Sequence, residues 1–190
     1  MAKTGERKAQ ILQTLAGMLE DPKGERITTA LLAARLDVSE AALYRHFASK
    51  AQMFEGLIEF IEQTLFTLVN KIQSEEKDAM KQIESTVTTL LGFAQKNPGM
   101  TRVLIGDALV NEDDRLQARV NQLLDRIEAS LRQSARLAVG ASQLPPEWDV
   151  NAYANALIAF VIGRWHQFAK SGFRRAPMEG WALQWRVFSA

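Results

Sequence analysis

The chain contains no cysteine, only two histidines and only five prolines in 190 residues. Without cysteine there is no disulfide framework and no thiolate metal site, as suits a reducing compartment. His46 and His166 are the only imidazoles, no His-Glu metal spacing occurs, and no glycine-rich loop could cradle a phosphate. An enzyme is therefore not expected, nor a cofactor or a metal. The acidic run Glu112-Asp113-Asp114 suggests a cation site at first sight, but it suits better the start of a helix, where negative charge meets the helix dipole. Few prolines and few alternating β-branched runs point to an all-α chain. The most apolar stretch, residues 150–163, carries no charge yet falls short of the ~20 residues that span a bilayer, so it reads as a buried helix. No apolar segment of signal-peptide type heads the sequence, and a cytoplasmic protein is expected.

What the sequence does have is concentrated in residues 28–50, TTALLAARLDVSEAALYRHFASK. Thr28 reads as an N-cap, with Leu31, Leu32, Ala34 and Leu36 as the apolar contacts of a short helix. Asp37-Val38-Ser39 breaks it, Asp37 standing where glycine is common because aspartate tolerates a left-handed backbone. Ser39 caps a second helix, Glu40 suits its positive first turn, and Leu43 and Phe47 share the face that packs inward. Ala41, Ala42, Tyr44, Arg45 and His46 are left to the outer side. That side suits a major groove: small alanines near the helix start approach thymine methyls, and Arg45 reaches guanine or a phosphate. Ser49 and Gln52 carry the spacing of a capping box for the next helix. Thr28 and Lys50 thus lie at helix starts, where backbone N–H groups favour an anionic oxygen. Thr28, Thr29, Ser39, Ala41, Ala42, Tyr44, Arg45, His46 and Lys50 are the candidate DNA contacts.

Charge is nearly balanced at +1 overall. Residues 1–50 hold eight Lys and Arg against six acids, and the remainder is −1. Affinity for DNA should then rest on a few placed contacts and on dimeric binding rather than on a polybasic surface.

Apolar periodicity behind the reader predicts further helices. A first runs over residues 4–20, with Ile11, Leu12, Leu15, Met18 and Leu19 inward, and is stopped by residues 21–24. A long fourth carries the stripe Phe54, Leu57, Ile58, Ile61, Leu65, Leu68, Val69 and Ile72 and links two domains. A fifth is built on Met80, Ile83, Val87, Leu90, Leu91 and Ala94. Asn97 caps a short sixth, with Pro98 at its first position. A seventh over residues 112–137 has Leu116, Val120, Leu123, Leu124, Ile127 and Leu131 as its seam. The eighth, residues 149–170, is apolar nearly all round, as expected where one face meets the core and another a partner subunit. A ninth presents Trp181, Trp185 and Phe188. Residues 1–48 are assigned to DNA binding and 49–190 to a helical dimerisation and partner-binding domain, with the homodimer made through helices 8 and 9.

The run ITTALLAARLDVSEAALYRHFASKAQMFEGLI resembles the DNA-binding module of tetracycline-repressor (TetR) family regulators. The resemblance implies a TetR-like fold of about nine helices, with a three-helix helix-turn-helix domain followed by a larger helical one, and binding to palindromic double-stranded DNA. In most of that family the larger domain holds a small-molecule pocket. Thr88, Thr89, Asn155, Arg164 and His166 are the candidates to line one, and a ligand-responsive repressor is the alternative function.

A second resemblance is narrower. LLGFAQKNPGMTR at residues 90–102, with SEAALYRHF, IEFIE and DRLQARVNQLLDRIEASLRQ, resembles the nucleoid occlusion factors of the same family over residues 11–136. It implies nucleoid association, binding to chromosomal palindromes, and, once on DNA, antagonism of the tubulin-like division protein FtsZ. It also implies partner contacts at Phe60, Gly92, Lys96 and Asn97, in a groove between the fourth and fifth helices. Phe60 lies about 120° from the centre of its apolar stripe, which permits an outward position beside a Gly92 that leaves room for a peptide. The alternative is that Phe60 packs under the first helix and Gly92 lets two helices approach. Where those factors carry basic positions on helix 4, this chain has Leu68, with Lys71 nearby.

Overall fold

Nine α-helices and one 3-10 turn make up the regular structure of the computed structural model, which describes residues 4–21 and 27–189, with no strand among them. In chain order these are α1 (Thr4–Met18), α2 (Thr29–Arg35), α3 (Glu40–Tyr44), α4 (Lys50–Glu75), α5 (Ala79–Lys96), α6 (Pro98–Leu104), the 3-10 turn Asp107–Leu109, α7 (Asp114–Gly140), α8 (Val150–Lys170) and α9 (Trp181–Phe188). The all-helical expectation holds. The stop signal expected at Pro22 to Gly24 lies outside the described residues. None of the described helices is long and apolar enough to cross a membrane.

The chain divides into two compact units, Met1–Ile61 with Asn97–Val120, and Glu62–Lys96 with Asn121–Ala190. In the first, Ile11, Leu15, Met18 and Leu19 of the α1 region, Leu32 and Ala33 of α2, Leu43 of α3, and Phe54, Leu57, Ile58 and Ile61 of α4 are all buried. Close packing there depends on two glycines. A Cβ on Gly56 would stand 3.2 Å from the Phe47 ring and 3.3 Å from Leu12, so α4 lets both side chains against its backbone. At Gly99 the approach is tighter, with α6 crossing the end of α1.

Four expectations need correction. Leu31 and Ala34, read as apolar contacts of α2, are exposed, and Leu32 and Ala33 are the buried pair. Asn97 holds the N-cap position of α6, but its side chain makes no cap hydrogen bond, because its backbone at φ −133° and ψ 68° is not that of an N-cap. Its carbonyl instead accepts the N–H and hydroxyl of Thr101, both at 3.0 Å. Leu68, counted in the α4 stripe, is exposed. A seven-residue repeat drifts by about 20° per heptad on a straight helix, so the row Phe54, Ile61, Leu68 turns outward by its third member while Leu65 and Val69 take the buried positions. Finally, α7 begins at Asp114 rather than Glu112, with Asp113 accepting the backbone N–H of Arg115 at 3.1 Å.

The second unit is built on α5 against α8. Ile83, Val87, Leu90, Leu91 and Ala94 are buried with Leu157, Val161, Trp165 and Phe168. Polar groups in this core have partners, as burial demands. Trp165 donates its indole N–H to the Leu90 carbonyl at 3.2 Å, and Ser134 donates to Gln82 Oε1 at 2.9 Å. The α9 helix is seated by aromatic rings, Phe160 lying 5.5 Å from Trp181 and 5.3 Å from Phe188. Tyr153 donates its hydroxyl to the Phe188 carbonyl at 2.8 Å, and burial pushes its phenol far above its ordinary pKa.

Candidate nucleic-acid interface

Local chemistry sets the helix-turn-helix. Thr28, extended at φ −110° and ψ 157°, accepts the Leu31 N–H on its Oγ1 at 3.1 Å and so starts α2. Ser39 does the same for α3, accepting from Ala42 at 3.3 Å. Between them Asp37 adopts the left-handed backbone, φ 53°, anticipated for it. Val38 then bonds back to the Ala33 carbonyl at 3.0 Å, which fixes the turn. Each cap replaces a helix-end hydrogen bond worth about 1 kcal/mol.

Leu43 and Phe47 are buried as expected, and they orient everything else on α3. Ala41, Tyr44 and Arg45 are exposed, while Ala42 and His46 are half-buried. The helix proper ends at Tyr44, but Arg45 keeps helical angles, and the N–H groups of His46 and Phe47 both reach the Leu43 carbonyl, at 2.9 and 3.1 Å. The Nδ1 of His46 is buried without a hydrogen-bond partner, so only part of its ring is open to a ligand.

Two acids also engage this surface, Glu40 at the start of α3 and Glu112 in the loop ahead of α7. Thr29 donates its hydroxyl to Glu40 Oε2 at 2.6 Å, and Tyr44 donates to Thr29 Oγ1 at a long 3.4 Å. Lys50 is ion-paired with Glu112 and lies 5.6 Å from the centre of the Phe54 ring. Glu112 could not have been found from spacing, because it is 62 residues away in a loop. The capping box after Ser49 is half formed as expected: Ser49 accepts from Gln52 at 3.2 Å, but the Gln52 side chain reaches the Ala48 N–H, one residue early.

The residues singled out for a partner stand as follows. Phe60 is 48% exposed, so it does not pack under α1. A Cβ on Gly92 would meet nothing within 4 Å, so this glycine is not needed for a close approach. Lys96 is exposed at the end of α5, and Asn97 is half-buried at the α5–α6 junction.

Among the residues proposed to line a ligand pocket, several serve the fold. Thr88 accepts the Trp181 indole N–H at 2.8 Å and donates to the Glu84 carbonyl at 2.7 Å. Arg164 donates to the carbonyls of Ala176, Pro177 and Glu179 at 2.8 to 3.2 Å, pinning the segment before α9. Asn155 donates to Glu128 at 3.3 Å, and His166 is exposed. No group of three potential metal ligands occurs among the described residues.

Two family models match this chain. A family model described as bacterial regulatory proteins, tetR family, matches residues 25–57, and one described as tetracyclin repressor-like, C-terminal domain, in its SlmA-like form, matches residues 77–190. The nucleoid occlusion factor SlmA of Alteromonas mediterranea is 53% identical, covering 98% of this chain and 95% of its own. That of Marinomonas sp. (strain MWYL1) is 52% identical over the same shares. Among solved structures, the fatty acid degradation regulator FadR of Bacillus halodurans superposes with a TM-score of 0.81 at 14% identity, covering 100% of this chain and 97% of its own. The TetR family regulator PfmR of Thermus thermophilus gives 0.77 at 22%, covering 94% and 96%. At such identities these two likenesses establish the fold alone.

Proposed function

We propose that this chain, which belongs to the SlmA family of nucleoid occlusion factors within the tetR regulators, binds palindromic chromosomal sites as a homodimer and there antagonises FtsZ assembly, so that division does not proceed across the nucleoid. One observation carries this reading. The identity of 53% extends over 98% of the chain, well beyond the helix-turn-helix that many regulators share. The protein is a DNA-binding regulator and not an enzyme. It acts in the cytoplasm, on the nucleoid.

In this reading residues 1–48 bind DNA and residues 49–190 carry dimerisation and partner binding. Ala41, Ala42 and Arg45 approach base edges, with Ser39 holding the start of their helix. Thr28, Thr29, Tyr44, His46 and Lys50 engage the backbone. Phe60, Gly92, Lys96 and Asn97 meet FtsZ. Support for them is that Phe60 is half-exposed, Gly92 stands open and Lys96 offers a positive charge to an acidic segment. Dimerisation through α8 and α9 is supported by what those helices leave uncovered: Ala152, Ala156, Ala159 and Gly163 on α8, and Leu183 and Val187 on α9, 66% and 76% exposed.

The test is FtsZ polymerisation followed by light scattering. Inhibition should be stronger with a specific duplex present than with a random one. Asn97→Ser should abolish that inhibition while DNA affinity stays intact, since the side chain of Asn97 plays no part in capping α6. Inhibition indifferent to DNA, or a monomer in sedimentation at micromolar concentration, would overturn the proposal. A ligand-released repressor is the poorer reading, because Thr88, Asn155 and Arg164 are already committed to protein partners.

A further inference from the structure

The bond between Thr29 and Glu40 joins the first residue of α2 to the first residue of α3, across the face that the DNA-binding reading places against the duplex. Its direction matters. A hydroxyl has one proton, and Thr29 gives its proton to Glu40 at 2.6 Å. Tyr44, four residues along α3 from Glu40, points its own proton at Thr29. The two protons thus run in series, from Tyr44 to Thr29 and from Thr29 to Glu40, whose carboxylate only accepts.

Phosphate oxygens also only accept. For Thr29 to bond a phosphate, its proton must turn away from Glu40, and the carboxylate loses the hydroxyl that satisfied it. Glu40 is exposed at the N-terminal end of the helix that enters the groove, where side chains meet base edges. In the major groove guanine O6 and N7 and thymine O4 are acceptors and would repel it, whereas the N4 amino group of cytosine is a donor that a glutamate can take. The helix dipole alone would favour an acid at this position. It does not account for a short bond to a hydroxyl on a different helix.

From this geometry we infer that Glu40 is a specificity-determining residue: it opposes backbone engagement by Thr29 on arbitrary DNA and is relieved where a cytosine amino group replaces the lost hydroxyl. The inference rests on the DNA-binding reading and concerns the origin of its selectivity. Removing the charge should then strengthen non-specific binding while weakening discrimination, an outcome that a residue merely bracing Thr29 would not produce.

The experiment is selection of bound duplexes from a randomised pool by the full-length protein, followed by affinity measurement on the selected and random duplexes, for wild type, Glu40→Gln, Glu40→Ala and Thr29→Val. Melting curves establish that each is folded. Both Glu40 variants should bind random DNA about tenfold more tightly, and their ratio of selected to random affinity should fall by about the same factor. At the position where the wild type takes C·G, Glu40→Ala should lose its preference, and Glu40→Gln should move toward A·T, because an amide pairs with adenine N6 and N7. Thr29→Val keeps the carboxylate and should keep the selected base. An unchanged ratio and sequence in the Glu40 variants, or uniformly weaker binding to all duplexes, would overturn the inference. Failure of the wild type to enrich any sequence would instead sink the DNA-binding reading, and this inference with it.

Discussion

The ammonium of Lys50 at the start of α4 is ion-paired to the carboxylate of Glu112, in the loop ahead of α7, with only 22% and 12% of the two side chains exposed. A second such pair, Arg102 with Asp107 at 2.8 Å, lies in the same cavity wall, around a space of about 250 Å³. Lys50 is the residue proposed to hold a phosphate, so in the free protein its charge is already answered. Binding DNA through it means exchanging one anionic partner for another.

Glu112→Gln should therefore raise affinity for specific and random duplexes alike, by about fivefold at low salt, the effect of roughly 1 kcal/mol on a charge contact. Lys50→Ala should lower affinity and reduce the slope of log K against log salt by about one. Titrations at several salt concentrations check both. Unchanged affinity in Glu112→Gln would mean that Lys50 does not leave its partner for DNA.

Gly99 governs a different junction. A Cβ there would stand 2.0 Å from the Ala16 carbonyl oxygen and 3.1 Å from the Leu19 Cβ, both on the backbone or stem of the α1 end and unable to swing aside. Gly99→Ala should destabilise the protein by about 1–3 kcal/mol, the usual cost of overpacking. Thermal unfolding should show the loss. Gly92→Ala, with open space around it, should leave the melting temperature almost unchanged.

On the DNA face, Thr28→Ala removes the cap of α2 and Tyr44→Ala an exposed hydroxyl. Both should weaken binding across sequences. Ala42→Ser, at a small half-buried position near the start of α3, should instead alter which sequence is preferred. Affinities on cognate and random duplexes separate the two classes, and equal losses on both for all three variants would refute the division.

Asp149 starts α8 by accepting the backbone N–H groups of Asn151 at 2.8 Å and Ala152 at 3.3 Å. Those bonds hold its carboxyl below its ordinary 3.8. A carboxyl whose folded value is depressed contributes stability above the unfolded value and loses it as pH falls through the folded one. Asp149→Ala should thus lower the melting temperature at pH 7, and the difference from wild type should shrink as pH drops below 3.8. A difference constant down to the most acid pH would assign the effect to packing.

Where the physics is local, the sequence alone was enough. Thr28 and Ser39 cap because their hydroxyls reach N–H groups three residues on, Asp37 turns left because its neighbours demand it, and Leu43 and Phe47 go inward because four residues make one helical turn. The same reasoning found most of the buried rows of α5 and α7, whereas the outward position of Phe60, which periodicity left open, was decided by the packing. It could not say who answers Lys50, why residue 99 must be glycine, or what Glu40 holds. These depend on Glu112, Ala16 and Thr29, residues brought close by packing between separate helices and loops, and no periodicity in one segment encodes the partner supplied by another.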